Sequence, residues 1–247
     1  MKVGIFGFGK MGKAISELSQ KFTEINSVRI YSCNDNDLKF FISDCDVILD
    51  FSVAEATENL TNYILENNIF PKSILIGTTA LSEKTSQNIS EISKKTAILK
   101  TANMSIGANI QAFISQKLAQ ILGNDYDIDI LDIHHKEKKD APSGTAFMIA
   151  DAINNGLESS TGKKYKIITD RSSNPVRGDN EISISSIRAG KATGTHEVLF
   201  TGHYDSISIT HKVDKRELLA IGALKAAIWL SKQKPNLYNM QDFIKFD

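Results

Sequence analysis

The chain has 247 residues, 41% of them hydrophobic, and its 29 basic residues balance its 29 acidic ones. That length allows one large or two modest domains, and the neutral balance argues against a nucleic-acid binder or a membrane-surface protein. Two cysteines without metal-ligand spacing, Cys33 and Cys45, exclude a disulfide scaffold; with no secretory leader pattern and no bilayer-length apolar run, the expectation is a soluble, cytoplasmic protein with neither nucleic-acid nor membrane partners.

The first strand, 2–6, runs into Gly7-x-Gly9-x-x-Gly12, and a helical pattern over 12–22 follows with Ala14, Ile15, Leu18 and Phe22 on one face. In this strand–turn–helix setting Gly7 permits the tight turn, Gly9 lets a pyrophosphate approach the backbone, and Gly12 lets the helix lie close to the strand. Gly7, Phe8, Gly9, Lys10, Met11 and Gly12 are therefore candidate cofactor contacts. No Gly-Lys-Ser/Thr closes the loop, which excludes a Walker-type phosphate site.

Further strands are expected at 28–32, 46–51, 73–77 and 96–100, with helices at 54–67 and 81–93. Most of these strands are short unbroken apolar runs, such as Val47-Ile48-Leu49, which fits a parallel sheet buried on both faces. Between the second and third strands there is room only for a loop or a brief helix. Ligands of such sheets bind at the carboxyl ends of the strands. There the sequence places Asp50-Phe51-Ser52, then Gly77, Thr78 and Thr79, then Thr101, Ala102, Asn103 and Met104. The last two sets are candidate contacts for a nicotinamide and its ribose. After the second strand comes Ser32-Cys33-Asn34-Asp35-Asn36-Asp37. Asp35 is the candidate for the acidic residue that binds the adenine ribose, and with no cation before Lys39 the local charge favours NADH over NADPH. Lys10 is the cation that could reach across.

After Ser105 the character changes to α+β. An amphipathic helix is expected over 106–122, then a strand over 126–133, a cationic loop, and a helix near 145–154. The stretch 156–180, with Gly156, Gly162, Pro175 and Gly178, reads as a long loop. Runs at 181–188, 196–200 and 206–211 alternate apolar and polar residues and are expected to be antiparallel strands. A last helix, Arg216 to Lys232, could return to cover the first sheet. The expected domains are 1–105 with 215–247 for dinucleotide binding, and 106–214 for substrate binding and oligomerisation. The fold class is α/β: an N-terminal Rossmann-like domain plus an α+β domain with a mixed or antiparallel sheet.

The cationic loop carries the chemistry: His134-His135-Lys136-Glu137-Lys138-Lys139-Asp140-Ala141-Pro142-Ser143-Gly144-Thr145. A strand feeds it and a helix follows it. The first amides of a helix lack intrahelical acceptors and bind anions, and Ser143 or Thr145 could cap that end. Two imidazoles and three ammonium groups beside such an end suit a small dicarboxylate with a proton donor in reach. An imidazole titrates in the working range, an ammonium group can pair with a carboxylate or donate a proton, and Arg188 can grip a second carboxylate bidentately.

These motifs together resemble the bacterial 4-hydroxy-tetrahydrodipicolinate reductase (dihydrodipicolinate reductase) family nearly end to end. The resemblance covers Gly7–Gly12, Asp50-Phe51-Ser52, Gly77-Thr78-Thr79, Ala102–Ser105 and His134 to Thr145, and continues through Ser186–Gly190, Gly194-Thr195-His196 and Thr210-His211-Lys212. It implies NAD(P)H-dependent reduction of a cyclic dicarboxylate in lysine and diaminopimelate synthesis. It implies His134 and Lys138 as catalytic residues, His135, Gly144 and Thr145 as substrate contacts, and a homotetramer built through the second domain's sheet. Asp132 stands where the family often has Glu, Lys139 where it often has Val, and Thr195 where it usually has Glu. The alternatives are another amino-acid dehydrogenase of this architecture, or a non-catalytic dinucleotide-sensing relative. No metal is expected.

Overall fold

The computed structural model describes residues 1–31, 38–172, 175–215 and 217–245. In chain order the elements are β1 (Lys2–Phe6), α1 (Lys10–Ser19), β2 (Ser27–Tyr31), α2 (Leu38–Asp44), β3 (Val47–Asp50), α3 (Ala54–Asn67), β4 (Ser73–Ile76), α4 (Glu83–Ser93) and β5 (Ala97–Lys100). There follow α5 (Ile106–Leu122), β6 (Asp127–His134), α6 (Gly144–Thr161), β7 (Lys166–Ile168), β8 (Glu181–Arg188), β9 (Thr195–Thr201) and β10 (Ser206–Lys212). The chain closes with α7 (Glu217–Leu230), β11 (Asn236–Tyr238) and α8 (Met240–Ile244). It divides into two compact units, Met1–Ile106 with Glu217–Asp247, and Gly107–Arg216.

The first unit is a parallel six-stranded sheet in the order β11-β5-β4-β3-β1-β2. The central strands β1, β3, β4 and β5 are apolar on both faces because helices cover both. Val3, Val47, Leu49, Leu75 and Leu99 meet Ala220, Ala223, Leu224 and Ala227 of α7 on one side. Ile48, Ile74, Ile76 and Ile98 meet Phe41, Leu60, Ile64, Ile89 and Ile92 on the other. Alanines and Gly222 let α7 come close: a Cβ at Gly222 would collide with the carbonyl of Met104. The Cys45 thiol is buried in the second of these cores and is pushed up to about 11 by that burial. The brief connection between β2 and β3 contains α2. The strand order reverses between β1 and β3, and ligands of open α/β sheets bind in the crevice at such a switch point.

The second unit is a mixed sheet in the order β10-β9-β6-β8-β7. Helices α5 and α6 cover one face, where Ile128, Ile130, Ile182, Val198 and Phe200 meet Ile149, Ile153 and Leu157. Two expectations are corrected here. First, β8 runs parallel to β6, not antiparallel, while β9 and β10 are antiparallel as expected; alternation reports a half-buried strand, and direction is set by the connection. Second, 156–180 is not one loop. Helix α6 continues to Thr161, Gly162 ends it at φ +72°, and β7 follows. Gly156 does not break the helix. A Cβ there would strike the carbonyl of Gln116 in α5, so the glycine permits close helix contact. At α1 the helix ends at Ser19, short of Phe22, yet Phe22 still packs on the core.

Candidate active site

The Gly7–Gly12 loop sits at the switch point. Gly7 adopts φ +97°, and a Cβ on it would meet the carbonyl of Phe51 and the backbone of Ser52 at 2.7 Å. Gly12 admits no Cβ because it lies on the carbonyl of Gly7. Gly9, by contrast, opens into free space, and as the N-cap of α1 it brings no side chain to bond the helix's first amides. A tight turn, a close helix and an open, uncapped helix end fit a dinucleotide pyrophosphate. Phe8 and Lys10 are exposed and Met11 is half-buried.

The β3 edge of this crevice is held by Asp50, which is fully buried. It accepts from Ser52 N at 3.0 Å, Ser52 Oγ at 2.6 Å, Thr57 Oγ1 at 2.6 Å and Thr78 Oγ1 at 3.0 Å. Burial pushes its carboxyl up against these donors. Thr78 is thus turned inward, and Met104 is buried in the core, so any cofactor contact from these two comes from backbone. Gly77 packs on the ring of Phe51. A cleft of about 440 Å³ opens between Thr78–Leu81 and Lys100–Ala102, with Thr79, Thr101 and Ala102 on its wall. Asn103 lies in a turn in which its side-chain oxygen accepts from Ser105 N at 2.9 Å. Asp35 lies outside the described residues.

In the second unit, β6 delivers His134 to the start of the cationic loop and α6 begins at its end. Ser143, not Thr145, is the N-cap: its hydroxyl accepts from Ala146 N at 3.2 Å. Gly144 opens into free space at the first helical position and Thr145 follows, half-buried. Lys138 stands 2.8 Å from the carboxylate of Asp140, and its backbone N–H reaches His135 O at 3.1 Å, which closes the turn.

Asp132 is the centre of this site. It is fully buried and accepts from Ser143 N at 2.9 Å, Ser143 Oγ at 2.8 Å and Arg188 Nη2 at 2.9 Å. His196 Nε2 lies 3.2 Å from its Oδ1 and 3.1 Å from Ser143 Oγ. Burial opposes the Asp132 charge, but the bonds from His196, Arg188 and Ser143 outweigh it and hold the carboxyl well below the usual range. His134 Nδ1 is 3.0 Å from Asp132 Oδ1 yet off the line of a hydrogen bond. Burial, opposed by that carboxylate, pushes the His134 imidazole down to about 4.

The chain also matches known proteins along its whole length. A family model described as dihydrodipicolinate reductase, N-terminus, matches residues 1–104, and one described as dihydrodipicolinate reductase, C-terminus, matches residues 107–244. The chain belongs to the dihydrodipicolinate reductase family. It is 39% identical over 248 residues to the 4-hydroxy-tetrahydrodipicolinate reductase of Rickettsia rickettsii (strain Sheila Smith), covering 99% of each chain. It is also 39% identical over 245 residues to that of Caldanaerobacter subterraneus subsp. tengcongensis, covering 96% of this chain and 95% of the relative. Its fold is similar to the dipicolinate-bound dihydrodipicolinate reductase from Paenisporosarcina sp. TG-14, with a TM-score of 0.74 at 20% identity over 98% of both chains.

The guanidinium of Arg188, the candidate second carboxylate anchor, reaches the Asp132 carboxylate, the Asp132 carbonyl at 2.9 Å and the Asp140 carbonyl at 2.7 Å, so it ties both ends of the cationic loop together. In the sequence Asp132 and His196 stand out only as motif positions. Their strand register, Asp132 opposite His196 across β6 and β9, is what brings them together. The alternation of β9, with His196 on its apolar face beside Val198 and Phe200, is the signal that could have placed it inward.

Proposed function

We propose that this chain reduces 4-hydroxy-tetrahydrodipicolinate to tetrahydrodipicolinate with NADH or NADPH, a step of lysine and diaminopimelate biosynthesis in the cytoplasm. One observation carries the reading: His134 at the end of β6, and His135 and Lys138 on the loop after it, lead into the Ser143-capped N-terminus of the 18-residue helix α6. Cations beside a helix N-terminus suit a dicarboxylate, and two of those groups can handle a proton. Membership of the family across both units supports it.

In this reading Gly144, Thr145 and His135 hold the substrate's carboxylates, and Lys138 leaves Asp140 to pair with one of them. Reduction takes up one hydride and one proton as the 4-hydroxyl leaves as water, and two groups can supply that proton: Lys138 as an ammonium, or His134 once the substrate's negative charge favours its protonation. Arg188 keeps the loop closed. The dinucleotide's pyrophosphate lies on Gly7–Gly12 and the start of α1, its nicotinamide half beside Gly77, Thr79, Thr101, Ala102 and Asn103, and its adenine ribose beside Asp35. Reduced nicotinamide, when bound, supplies the hydride. NADH is preferred over NADPH on the charge of the segment after β2.

The division of labour follows the two expected domains, with the dinucleotide in the first and the substrate in the second. The protein assembles as a homotetramer through the face of the second sheet opposite α5 and α6, where Leu131, Ile133 and Leu199 are half-buried and Ile187 is 43% exposed. Apolar side chains on an uncovered sheet face favour such burial.

The test is NADH and NADPH oxidation with the freshly generated condensation product of aspartate semialdehyde and pyruvate. Substrate-dependent loss of reduced cofactor is expected. Turnover only with amino acids, or tight NADH binding with no consumption, would overturn the reading.

A further inference from the structure

Three imidazoles line up along the α-covered face of the second sheet. His134 is on β6, His196 lies beside it on β9 with ring centroids 5.2 Å apart, and His211 pairs with His196 across β9 and β10. The middle ring is the buried one, 3% exposed, although its Nε2 touches two different elements of the active site. It sits 3.1 Å from the hydroxyl that caps α6 and 3.2 Å from the carboxylate beside His134. Its backbone is fixed as well, since Gln111 of α5 donates to the His196 carbonyl and to the Ile209 carbonyl, each at 2.8 Å.

We propose that His196 is a positioning residue for His134 and for the opening turn of α6. Its Nε2 braces the Asp132 carboxylate and the Ser143 hydroxyl together, and they in turn fix the two groups that meet the substrate. The proposal rests on the function assigned above, but its physical content does not depend on turnover. Asp132 Oδ1 has three neighbours: Ser143 Oγ, His196 Nε2 and, less well aligned, His134 Nδ1. A carboxylate oxygen that already takes two donors attracts a third less strongly. His196 thus controls how firmly Asp132 draws a proton onto His134.

The same three side chains, Asp132, His134 and His196, bring their ligand atoms within 4.8 Å of one another, the composition of a cation site. The charges point to the bracing role instead. Arg188 already sits on Asp132, and Ser143 occupies both carboxylate oxygens with its two donors. A metal would have to displace these bonds and endure the guanidinium's repulsion.

Removing the brace has two readable consequences. With His196→Leu, Asp132 loses a donor and turns more of its field on His134, so the His134 imidazole should titrate higher than in the wild type. The groups facing His134 are Asp132 on β6, His196 on β9, Arg188 on β8 and Lys138 in the loop; only His196 changes. Turnover should fall by about tenfold or more, the worth of a hydrogen bond to a charged group, while NADH affinity stays unchanged. His196→Gln puts an N–H where Nε2 stands and should recover most of both effects.

The experiment is an NMR titration of the His134 ring in the full-length wild type and both variants, free and with pyridine-2,6-dicarboxylate, alongside kcat and KM. Because the titration needs no turnover, it remains decisive if the assigned reaction fails. An unchanged His134 titration in His196→Leu, with turnover within twofold of wild type, would overturn the proposal. So would a glutamine variant that is folded yet no better than leucine. Should leucine prevent folding, His196→Asn takes its place with the same expectation, since its shorter amide withdraws from Asp132.

Discussion

Ser143 turns both of its donors onto a single buried carboxylate: its backbone N–H meets Asp132 Oδ2 at 2.9 Å and its hydroxyl meets Oδ1 at 2.8 Å. The same hydroxyl caps α6. One side chain therefore links the strand that carries His134 to the helix end proposed to hold the substrate. Ser143→Ala removes a cap and a donor to a charge, and should cost roughly 2–3 kcal/mol of stability. Urea unfolding midpoints would measure it, and a loss under about 0.5 kcal/mol, the size of an ordinary surface change, would deny the link any weight.

His134→Gln and Lys138→Ala should each lower kcat by roughly 10²–10⁴-fold, the usual worth of a general acid. NADH affinity, read by fluorescence titration, should barely move in either. If both variants turn over near the wild-type rate, neither residue is part of the chemistry.

Stability should depend on pH through His134. Its folded value of about 4 lies below the ordinary 6.5, so between those values the unfolded chain binds the proton more readily. The contribution is full above pH 6.5 and is lost as pH falls toward 4. His211, lowered mainly by burial, acts in the same direction. Asp132 is held low instead, and its contribution persists until strong acid. Urea midpoints from pH 7 to 4 should decline less steeply in His134→Gln than in the wild type; parallel declines would take His134 out of the linkage.

Dicarboxylate binding should reverse the suppression of His134 by bringing negative charge beside it. Pyridine-2,6-dicarboxylate should bind with net proton uptake, tightening as pH falls from 8 to 6, and should compete with substrate. Calorimetry in buffers of different ionisation enthalpy reads the protons directly. Competition against NADH alone would place the anion in the other unit. Thr145→Val should raise KM more than it lowers kcat, as expected for a group that holds a carboxylate equally in ground and transition states.

The charge of the segment after β2 predicts the coenzyme preference. NADH should give the higher kcat/KM, and Asp35→Arg should shift the preference toward NADPH, because a 2′-phosphate needs a cation where the wild type offers carboxylates. A wild-type preference for NADPH at physiological salt would mean that a cation from elsewhere, such as Lys10, governs the choice.

Features set by short-range chemistry are legible in the sequence. Unbroken apolar runs such as Val47–Leu49 specify strands covered on both faces, and Gly7, Gly9 and Gly12 specify the turn between β1 and α1, because no other residue tolerates φ +97° at Gly7 or the contact at Gly12. The family is legible in the same way, since its motifs are contiguous. The rest depends on contacts between distant parts of the chain. Gly156 is a helix contact and not a break, because what a glycine permits depends on the backbone that approaches it. The direction of β8 follows from pairing with β6, which alternation does not encode. Arg188 is a tie on Asp132, and His196 is Asp132's neighbour. Those two came together through the register of β6 with β8 and β9, across more than fifty residues of chain. Hydrogen-bond partners at that separation are fixed by strand pairing and burial, and neither is written in any local run of residues.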